Sequence, residues 1–406
     1  MTAEKTQVEL LAEHIVRLSQ QHSEKVQTGY EALEESKSIA AACTKLNALV
    51  SSPESWIERI SLSYNSSAAL CMLLDQDLFR LLSKNDGIAH LDTLASLTRC
   101  SKVLLRCALK EAVATHVLYE PSPETYQLNE RSRYLLNGNN ACWVHYLVDV
   151  GLQAAACLPQ YLLQAQQQAP DSHCKTAFQL AFQTDRPFYE YLRDADPHRG
   201  ERFDKGLQRH VGGTAQTSIE DVFDFQKVSS GGTVVDIGGG RGQHSIRIAR
   251  QHPHLRFVIQ DYERKFPSKE DIQDSAVFER LQWQQYDYFT EQPVRGADVY
   301  LLSNILMDNG PSECARILER ASQAMTRPSS VLLVDDGIEL DFQNCHSCYG
   351  SSMNMHMLAV LGTAFRTRVE WQALFEAVPG GLKVVQSWLV DGGRVIFQLQ
   401  KTTDDC

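Results

Sequence analysis

Glycines crowd one turn of the sequence, and their spacing indicates a place where a ligand lies against bare backbone. Gly238, Gly240 and Gly242 follow the strand-like run TVVDI and precede a helical stretch. Glycine permits a tight turn, and the start of a helix offers N–H groups without helical partners. The spacing lacks the third glycine position of dinucleotide binders, and no Walker-type lysine follows. The turn therefore predicts a nucleotide-type ligand outside the two commonest nucleotide-binding classes.

Acidic residues end the next two strand-like runs. Asp261 closes RFVIQD, and Asp287 with Tyr288 follows the third run in QQYDYF. A carboxylate at such a strand end binds both hydroxyls of a ribose, and an acid beside an aromatic ring suits an adenine. Each acid taken alone is equally well explained as a helix cap or a surface charge. Three strand ends in register, however, predict one binding edge.

The elements that must position these residues alternate between strand and helix. The β-branched runs TVVDI, RFVIQ, DVYLLS and VLLVDD are separated by helical stretches, which is typical of a parallel sheet wrapped by crossover helices. KVVQSWLV and RVIFQLQ, separated by DGG, predict a closing hairpin and an antiparallel edge. We predict an α/β fold class, with a doubly wound, Rossmann-like domain over residues 226–406.

Three segments are predicted before that domain. They are a helical dimerisation arm (1–85), a winged-helix-like dimerisation domain (86–138), and a helical linker and substrate-pocket segment (139–225). The arm carries an apolar stripe at helical spacing, formed by Val8, Leu11, Ile15 and Leu18. A second subunit or the chain itself covers this stripe. A winged helix often binds DNA, but the acidic charge balance favours a dimerising role.

Composition limits the function classes. The chain has 406 residues, 43% of them hydrophobic, and a net charge of −11. An acidic protein lacks the positive field that nucleic acid or anionic lipid requires, so we expect small-molecule partners and no nucleic acid or membrane. The 11 cysteines include one close pair, CHSC, without a second pair at zinc spacing, so no metal is predicted. An N-terminus without an apolar signal core predicts a cytoplasmic protein.

Several motifs together carry a family resemblance. DIGGGRG, YDYFTEQPVRGADVYLLSNIL, LLVDDGIE and MNMHMLAVLGTAFRT resemble the plant and fungal small-molecule O-methyltransferases that use S-adenosylmethionine. The motifs are specific and cover residues 226–406, and the upstream segments look similar to the same family. The resemblance implies a set of cofactor-binding residues: Gly238, Gly239, Gly240, Gly242, Asp261, Tyr262, Asp287, Tyr288 and Ser303. Ser303 stands where the family usually has a basic residue, so this sequence departs from the pattern there.

The departure with the largest consequence lies in the run SNILMDN. The resembling family has a His-Asp pair there, whose histidine deprotonates a phenol, whereas this chain has Met307 and Asp308. A phenol has a pKa of about 10 and needs a general base, and a thioether is only a weak acceptor. Losing the base costs about 10² to 10⁴ in rate. The family's acid before the RT pair is also replaced, by Phe365, while Asp335 is predicted to be the surviving orienting acid.

Methyl transfer to a hydroxyl is still compatible with Met307 in two ways. A register shift of one or two residues would let His356 or His346 serve as the base. A substrate acidic enough to ionise unaided would need no base at all. Either way the chain is an active O-methyltransferase for a phenolic or polyketide hydroxyl.

The degenerate pair also resembles that of the leporin-type pericyclases, fungal proteins similar to O-methyltransferases that dehydrate and cyclise substrates without methyl transfer. That resemblance implies His145 as a catalytic residue with Met307 and Asp308. Such a reaction needs shape more than proton abstraction, and Met307, Met353, Met357 and Phe365 suit an apolar wall that folds a flexible substrate. Ordinary core filling is the favoured explanation of the methionines, and a hydrogen-bonded helix histidine explains His145 equally well.

The favoured interpretation is an enzyme of fungal secondary metabolism that binds S-adenosylmethionine and is repurposed as a pericyclase. The substrate is a polyketide-derived or phenolic small molecule, and the assembly is a homodimer through the N-terminal region. An active O-methyltransferase is the second interpretation, and a dimeric DNA-reading regulator without catalysis is the third.

Overall fold

The protein is described by a computed structural model over residues 6–29, 32–167, 175–208, 218–262, 266–339, 348–390 and 393–402. Two compact units divide the chain, Met1–Leu128 and Asn129–Cys406. The finer division into four segments stays a prediction.

The first unit is mostly helical. Its helices are α1 (Gln7–Gln27), α2 (Leu33–Val50), α3 (Pro53–Leu62), α4 (Tyr64–Asp75), α5 (Leu78–Lys84), α6 (Leu91–Thr98) and α7 (Lys102–Ala114). Strands β1 (Ile88–His90), β2 (Leu118–Ser122) and β3 (Thr125–Leu128) form a small antiparallel sheet in the order β1-β3-β2. Thr6 caps α1 in a capping box with Glu9, because the hydroxyl and the carboxylate each satisfy a free backbone N–H group.

The second unit begins with helices that come before its sheet. They are α8 (Glu130–Tyr134), α9 (Gly138–Tyr146), α10 (Leu152–Ala156), α11 (Leu158–Gln167), α12 (Ala177–Ala181), α13 (Phe188–Glu190), α14 (Pro197–Leu207) and α15 (Ile219–Val222). Two π-helical segments, Leu147–Gly151 and Tyr191–Ala195, and a 3-10 turn, Phe225–Lys227, interrupt the series.

A mixed sheet follows, with helices on both faces. Among the described residues it has seven strands: β4 (Thr233–Ile237), β5 (Arg256–Asp261), β6 (Leu281–Gln285), β7 (Val299–Ser303), β8 (Val331–Gly337), β9 (Leu382–Val390) and β10 (Arg394–Lys401). The order is β6-β5-β4-β7-β8-β10-β9, and β10 runs antiparallel to both of its neighbours, β8 and β9, while the other pairings are parallel. The predicted doubly wound α/β fold with an antiparallel edge is confirmed.

The crossover helices are α16 (Gln243–Gln251), α17 (Lys269–Ile272), α18 (Ser275–Phe278), α19 (Pro311–Ala324), α20 (Cys348–Leu361) and α21 (Arg368–Glu376), with a 3-10 turn at Leu306–Asp308. Buried strand residues alternate between two hydrophobic clusters. Leu332 and Val334 of β8 face one cluster, and Val331 and Leu333 face the other. Because side chains alternate along a strand, neighbouring residues at the end of β8 point to opposite faces.

Within the described residues, no single helix is both long and apolar enough to cross a membrane, although one bent pair, Gly138–Ala156 with Leu158–Gln166, meets the length and composition criteria together.

Candidate active site

The glycine turn lies between β4 and α16 and leaves no room for a side chain at Gly238, Gly239 or Gly242. A Cβ atom at Gly238 would lie 2.3 Å from Ile305 Cδ1, and one at Gly239 would lie 2.5 Å from the carboxylate carbon of Asp236. Gly238 and Gly242 also have positive φ angles, of 71° and 79°. Side chains are therefore excluded by both space and backbone conformation, as a cradle for a ligand requires.

The backbone of the turn is fixed by the neighbouring strand. Gly238 N–H and Gly239 N–H donate to the carbonyl of Gln260 at 2.7 and 3.1 Å, and Gly240 N–H donates to Asp261 Oδ2 at 2.8 Å. These three amides hold the turn against β5 and do not serve as free donors. The ligand-binding capacity of this edge lies in its shape and its acids.

The other predicted cofactor residues lie along the same edge. Tyr288 is close enough to the carboxylates of Asp261 and Asp287 for both to raise the pKa of its phenol, although burial is the larger cause. Asp287 accepts a hydrogen bond from the Phe289 amide at 2.9 Å. Tyr262 is 53% exposed, and the Arg193 guanidinium lies 5.4 Å from its ring centroid. The strands that carry these residues are adjacent and parallel, and the cofactor-binding role of the residues stays a prediction.

Ser303, at the end of β7, joins a polar cluster behind the turn. Its Oγ lies 3.3 Å from His244 Nε2 and donates to Asp335 Oδ2 at 3.2 Å. The same carboxylate oxygen pairs with Arg394 of β10. Arg394, on a strand that is distant from position 303 in the sequence, thus brings a positive charge to this cluster.

The Leu306–Asp308 turn is held from two sides. Asp336 Oδ2 accepts the amides of Leu306 and Met307 at 2.9 and 3.1 Å. Arg366 donates to the carbonyls of Leu306 and Asn309 at 2.8 and 2.6 Å. Burial raises the pKa of Asp336 to about 7, since its backbone hydrogen bonds offset only part of the desolvation. The turn that carries Met307 and Asp308 is thus fixed by a buried acid and by an arginine.

The assignment of Asp335 as the acid at this turn is wrong in register. Asp335 lies on the opposite face of β8, paired with Arg394, and its neighbour Asp336 contacts the turn. A shift of one residue along a strand exchanges the two faces, which explains the error. Phe365 is buried at 6% exposure and packs against Gly337, where a Cβ atom would lie 2.4 Å from its ring.

Asp308 forms the chemically distinctive contact of the site. Tyr189 Oη donates to Asp308 Oδ2 at 2.5 Å. Burial raises the pKa of Asp308 to about 7; the Tyr189 hydrogen bond lowers it and the Asp336 charge raises it. Tyr189 keeps 46% of its surface accessible, yet its phenol is desolvated strongly enough to raise its pKa well above the usual value.

A second polar pair faces the same acid. Tyr146 Oη lies 2.8 Å from His356 Nε2, and the Asp308 carboxylate contributes to the raised pKa of Tyr146, after the larger effect of burial. Burial lowers the pKa of His356 to about 4, so its ring is neutral at physiological pH. His356, one of the two alternative bases, is thus bonded to a phenol. His346, the other alternative, lies outside the described residues.

His145 lies in an ion-pair network within the second unit. Its Nε2 is 3.3 Å from Arg202, which donates to Asp149 at 2.5 Å, and Arg199 donates to the same carboxylate at 2.7 Å. These contacts join α9 and the π-helical segment Leu147–Gly151 to α14. On helix α9 the next residue, Tyr146, is the one coupled to Asp308. The catalytic role of His145 stays a prediction, and the network favours a structural role.

We therefore expect His145→Ala to lower the stability of the protein and to have little effect on kcat/KM. Losing the contact to Arg202 should lower Tm by about 2–4 °C, the shift expected for about 1 kcal/mol in a domain of this size. His198→Ala, on the exposed side of α14, is the matched control. Thermal unfolding and kcat/KM are measured for both variants. A large loss of kcat/KM at unchanged Tm would assign His145 to the chemistry.

The predicted methionine wall separates into two environments. Met357 is buried at 6% exposure, and Met353 is half-buried against the aromatic cluster that contains Tyr146. Helix α20, which carries both, packs beside the Leu306–Asp308 turn. Met353 and Met307 therefore remain candidates for contact with a substrate, whereas Met357 fills core.

Known proteins share this architecture. A family model described as an O-methyltransferase domain matches residues 161–379. The N-methyltransferase nanE of Aspergillus nanangensis is 51% identical over 99% of this chain and 100% of its own length. The O-methyltransferase xanE of Aspergillus fumigatus is 32% identical over 87% of this chain and 82% of its own. The structure of LepI in complex with SAM has a TM-score of 0.79, 21% identity, and coverage of 98% and 100%.

Fold and site together define an enzyme of the O-methyltransferase-like class. The chain belongs to the O-methyltransferase domain family, and the family resemblance is confirmed. Its cofactor is S-adenosylmethionine, the methyl donor of that family. The residues fit this molecule: the cradle of Gly238 and Gly239 excludes side chains, and the Asp261 carboxylate is oriented by the Gly240 amide.

Proposed function

We propose that this chain is an S-adenosylmethionine-dependent N-methyltransferase acting on an amine. The observation that carries the proposal is the 2.5 Å hydrogen bond from Tyr189 to Asp308, the residue next to Met307, which replaces the family's imidazole. The 51% identical relative named an N-methyltransferase, matched along its whole length, supports the same conclusion.

The charge balance of the two reactions explains the preference for nitrogen. A hydroxyl must lose its proton before it attacks, because a neutral phenol with a pKa of about 10 is a poor nucleophile. A neutral amine already carries a lone pair and becomes a cation as the new C–N bond forms. A carboxylate beside the nitrogen stabilises that developing charge, and an imidazole at position 307 is unnecessary.

The residues divide the work accordingly. The Gly238 to Gly242 turn, Asp261, Asp287 and Tyr288 would hold the cofactor, which supplies an electrophilic methyl group and departs as S-adenosylhomocysteine. Tyr189 orients the Asp308 carboxylate by its 2.5 Å hydrogen bond. Asp308 then accepts the proton released from the methylated nitrogen and passes it to water. Its raised pKa of about 7 keeps both protonation states of Asp308 populated near neutral pH, so the carboxylate can take up the proton and release it in each turnover.

Product analysis tests the proposal. The protein is incubated with S-adenosylmethionine and a panel of alkyl and aromatic amines, each beside its hydroxyl analogue. We expect amine products heavier by one methyl group, with S-adenosylhomocysteine formed in equal amount. Methylated hydroxyl analogues without methylated amines would support the O-methyltransferase alternative instead.

The pericyclase predicted from the sequence is the second candidate. Its support is the apolar side chain of Met307 in the place of a base, together with half-buried Met353 near the same turn. In the same assay, a polyene substrate converted to an isomer or to a dehydrated product, with the cofactor unspent, would favour it over methyl transfer.

Met307→His probes the missing base directly. The imidazole would stand on a turn already held by Asp336, so we expect weak methylation of phenols to appear, recovering part of the about 10²- to 10⁴-fold contribution of a general base. Met355→His, at a position 54% exposed on α20, is the matched control. Phenol methylation is measured by mass spectrometry. Equal activity in the two variants would contradict the assignment of position 307.

Assembly and location are also proposals. We infer a homodimer through the N-terminal region, supported by exposed apolar side chains on α1 and α3, including Leu10, Val16, Ile57 and Ile60. We also propose a dimerising role for the winged-helix-like residues 86–138, based on the acidic charge balance, and a cytoplasmic location.

A further inference from the structure

Tyr146 and His356 form a polar pair buried within an apolar cluster. Tyr146 is 5% exposed and packs on the rings of Trp143, Phe188 and Phe203 at 4.9–6.0 Å between centroids. The His356 ring meets it edge-on, at 5.3 Å and 85°. Buried hydroxyl and imidazole groups cost free energy unless they are bonded to each other. Two apolar side chains would fill the same space without this cost, so packing alone does not explain the polar pair.

The backbone is adapted to this pair. His356 lies directly over Gly151, where a Cβ atom would lie 2.8 Å from His356 Nδ1. Gly151 ends the π-helical segment that starts at Leu147, directly after Tyr146. A π-helical turn inside a helix is frequent at functional sites. Both the glycine and the irregular turn bring the His356 ring onto the Tyr146 hydroxyl.

The direction of the hydrogen bond depends on which ring nitrogen of His356 carries the proton. Burial keeps the phenol of Tyr146 protonated and the imidazole of His356 neutral. In the tautomer with the proton on Nδ1, the phenol donates to the free Nε2 at 2.8 Å. The Tyr146 oxygen then keeps its lone pairs for a further donor. The Phe188 ring packs on both Tyr146 and Tyr189, at 6.0 and 5.1 Å between centroids, and Tyr189 donates to Asp308. Asp308 and Tyr189, the groups of the reaction site, are also electrostatically coupled to the Tyr146 phenol.

We propose that His356 carries its proton on Nδ1, and that the Tyr146 oxygen, oriented by the free Nε2, accepts a hydrogen bond from the N–H of the substrate nitrogen. This rests on the proposed N-methyl transfer and adds a substrate class: primary or secondary amines, whose N–H is held by Tyr146 while the lone pair is left for the methyl group. Tyr146 touches the substrate, and His356 is a positioning residue that acts through it. A nitrogen without N–H cannot make this contact.

Binding measurements test the contact without requiring turnover. Benzylamine and benzyltrimethylammonium are titrated into the protein saturated with S-adenosylhomocysteine, and heats of binding are compared between the wild type and Tyr146→Phe. We expect the variant to bind benzylamine about 10-fold more weakly, the usual effect of one hydrogen bond to a charged group, and benzyltrimethylammonium unchanged. Equal changes for the two probes, or no change for benzylamine, would overturn the proposal.

The role of His356 is tested through non-additivity. His356→Phe should weaken benzylamine binding in the same direction as Tyr146→Phe, and the double variant should be no weaker than Tyr146→Phe alone, since the imidazole acts only through the phenol. Additive losses would show that His356 acts independently and would overturn the positioning role. Unchanged affinity for S-adenosylhomocysteine in all three variants verifies that the cofactor site is intact.

Two glycine variants test whether the position of the His356 ring affects amine binding. Gly151→Ala inserts a methyl group against His356 and should reproduce the His356→Phe loss. Gly138→Ala, on the same helical stretch with nothing within 4 Å of its Cβ position, should bind as the wild type does. If amines bind with this pattern but no methylated product forms, N-methyl transfer fails while the contact stands. If amines are methylated but every variant binds them as the wild type does, N-methyl transfer stands and the Tyr146 contact fails.

Discussion

Asp308→Asn is expected to lower kcat/KM for amine methylation by about 10²- to 10⁴-fold, the usual contribution of a positioned proton acceptor. Asparagine keeps the size of the side chain and can accept the Tyr189 hydrogen bond, but it neither takes a proton nor stabilises a developing ammonium. Steady-state kinetics on the best amine of the panel measures the loss. Asp185→Asn, whose side chain is 89% exposed in the same unit, is the control and should retain full activity.

The pH dependence gives a sharper signature. Because the pKa of Asp308 is about 7, wild-type kcat/KM should rise with pH through this value, and Asp308→Asn should lose that limb. Tyr189→Phe removes a hydrogen bond that lowers this pKa, so its limb should move to higher pH. An unchanged limb in Asp308→Asn would exclude Asp308 as the titrating group.

The contribution of Asp308 to stability should decrease as the pH rises. The folded-state pKa of Asp308 is raised above the value of 3.8 for an unperturbed aspartate, so its contribution to stability is complete below about pH 4 and lost as pH rises through about 7. Asp308→Asn should therefore unfold at a higher temperature than the wild type at pH 8 and show no such gain at pH 4. Thermal unfolding at both values measures this.

Gly238→Ala is expected to weaken cofactor binding strongly. The added methyl group would meet Ile305 Cδ1 at 2.3 Å, and Ile305 directly precedes the turn that carries Asp308. Overpacking costs about 1–3 kcal/mol, and the φ angle of 71° adds about 1–2 kcal/mol for any residue with a Cβ atom. We expect the affinity for S-adenosylhomocysteine, measured by calorimetry, to fall at least about 100-fold, the equivalent of about 3 kcal/mol.

Gly231→Ala separates the two costs. Gly231 has a φ angle of 77°, but nothing lies within 4 Å of its Cβ position. The variant should therefore lose stability from backbone strain alone and bind the cofactor normally. Equal affinities in Gly231→Ala and Gly238→Ala would mean that the contact with Ile305 does not matter.

Features that depend on neighbours along the chain were predictable. Alternating strands and helices defined the sheet, and the order of glycines and acids at three strand ends defined the cofactor edge, because parallel strands bring their carboxyl ends to one side. The replacement of the base by Met307 was equally visible, since it needed only one motif. The α/β class follows from these local patterns, and the family and the cofactor follow from the resemblance that the motifs carry.

Features that depend on segments distant in the sequence were not predictable. Asp335 and Asp336 differ only in the face of β8 on which they lie, so their roles exchange with one residue of register. His145 and Tyr146 are likewise neighbours on a helix whose side chains point about 100° apart, and only the packing of α9 decides which one faces Asp308.

The sequence by itself determined the scaffold, the coenzyme and the loss of the imidazole base. The tertiary structure alone decided what replaced it, because Tyr189 and His356 come from segments far from Asp308 in the chain and are joined to its site by hydrogen bonds and burial. Burial also sets the proton affinity of Asp308, and desolvation is a property of surrounding atoms that no single motif encodes.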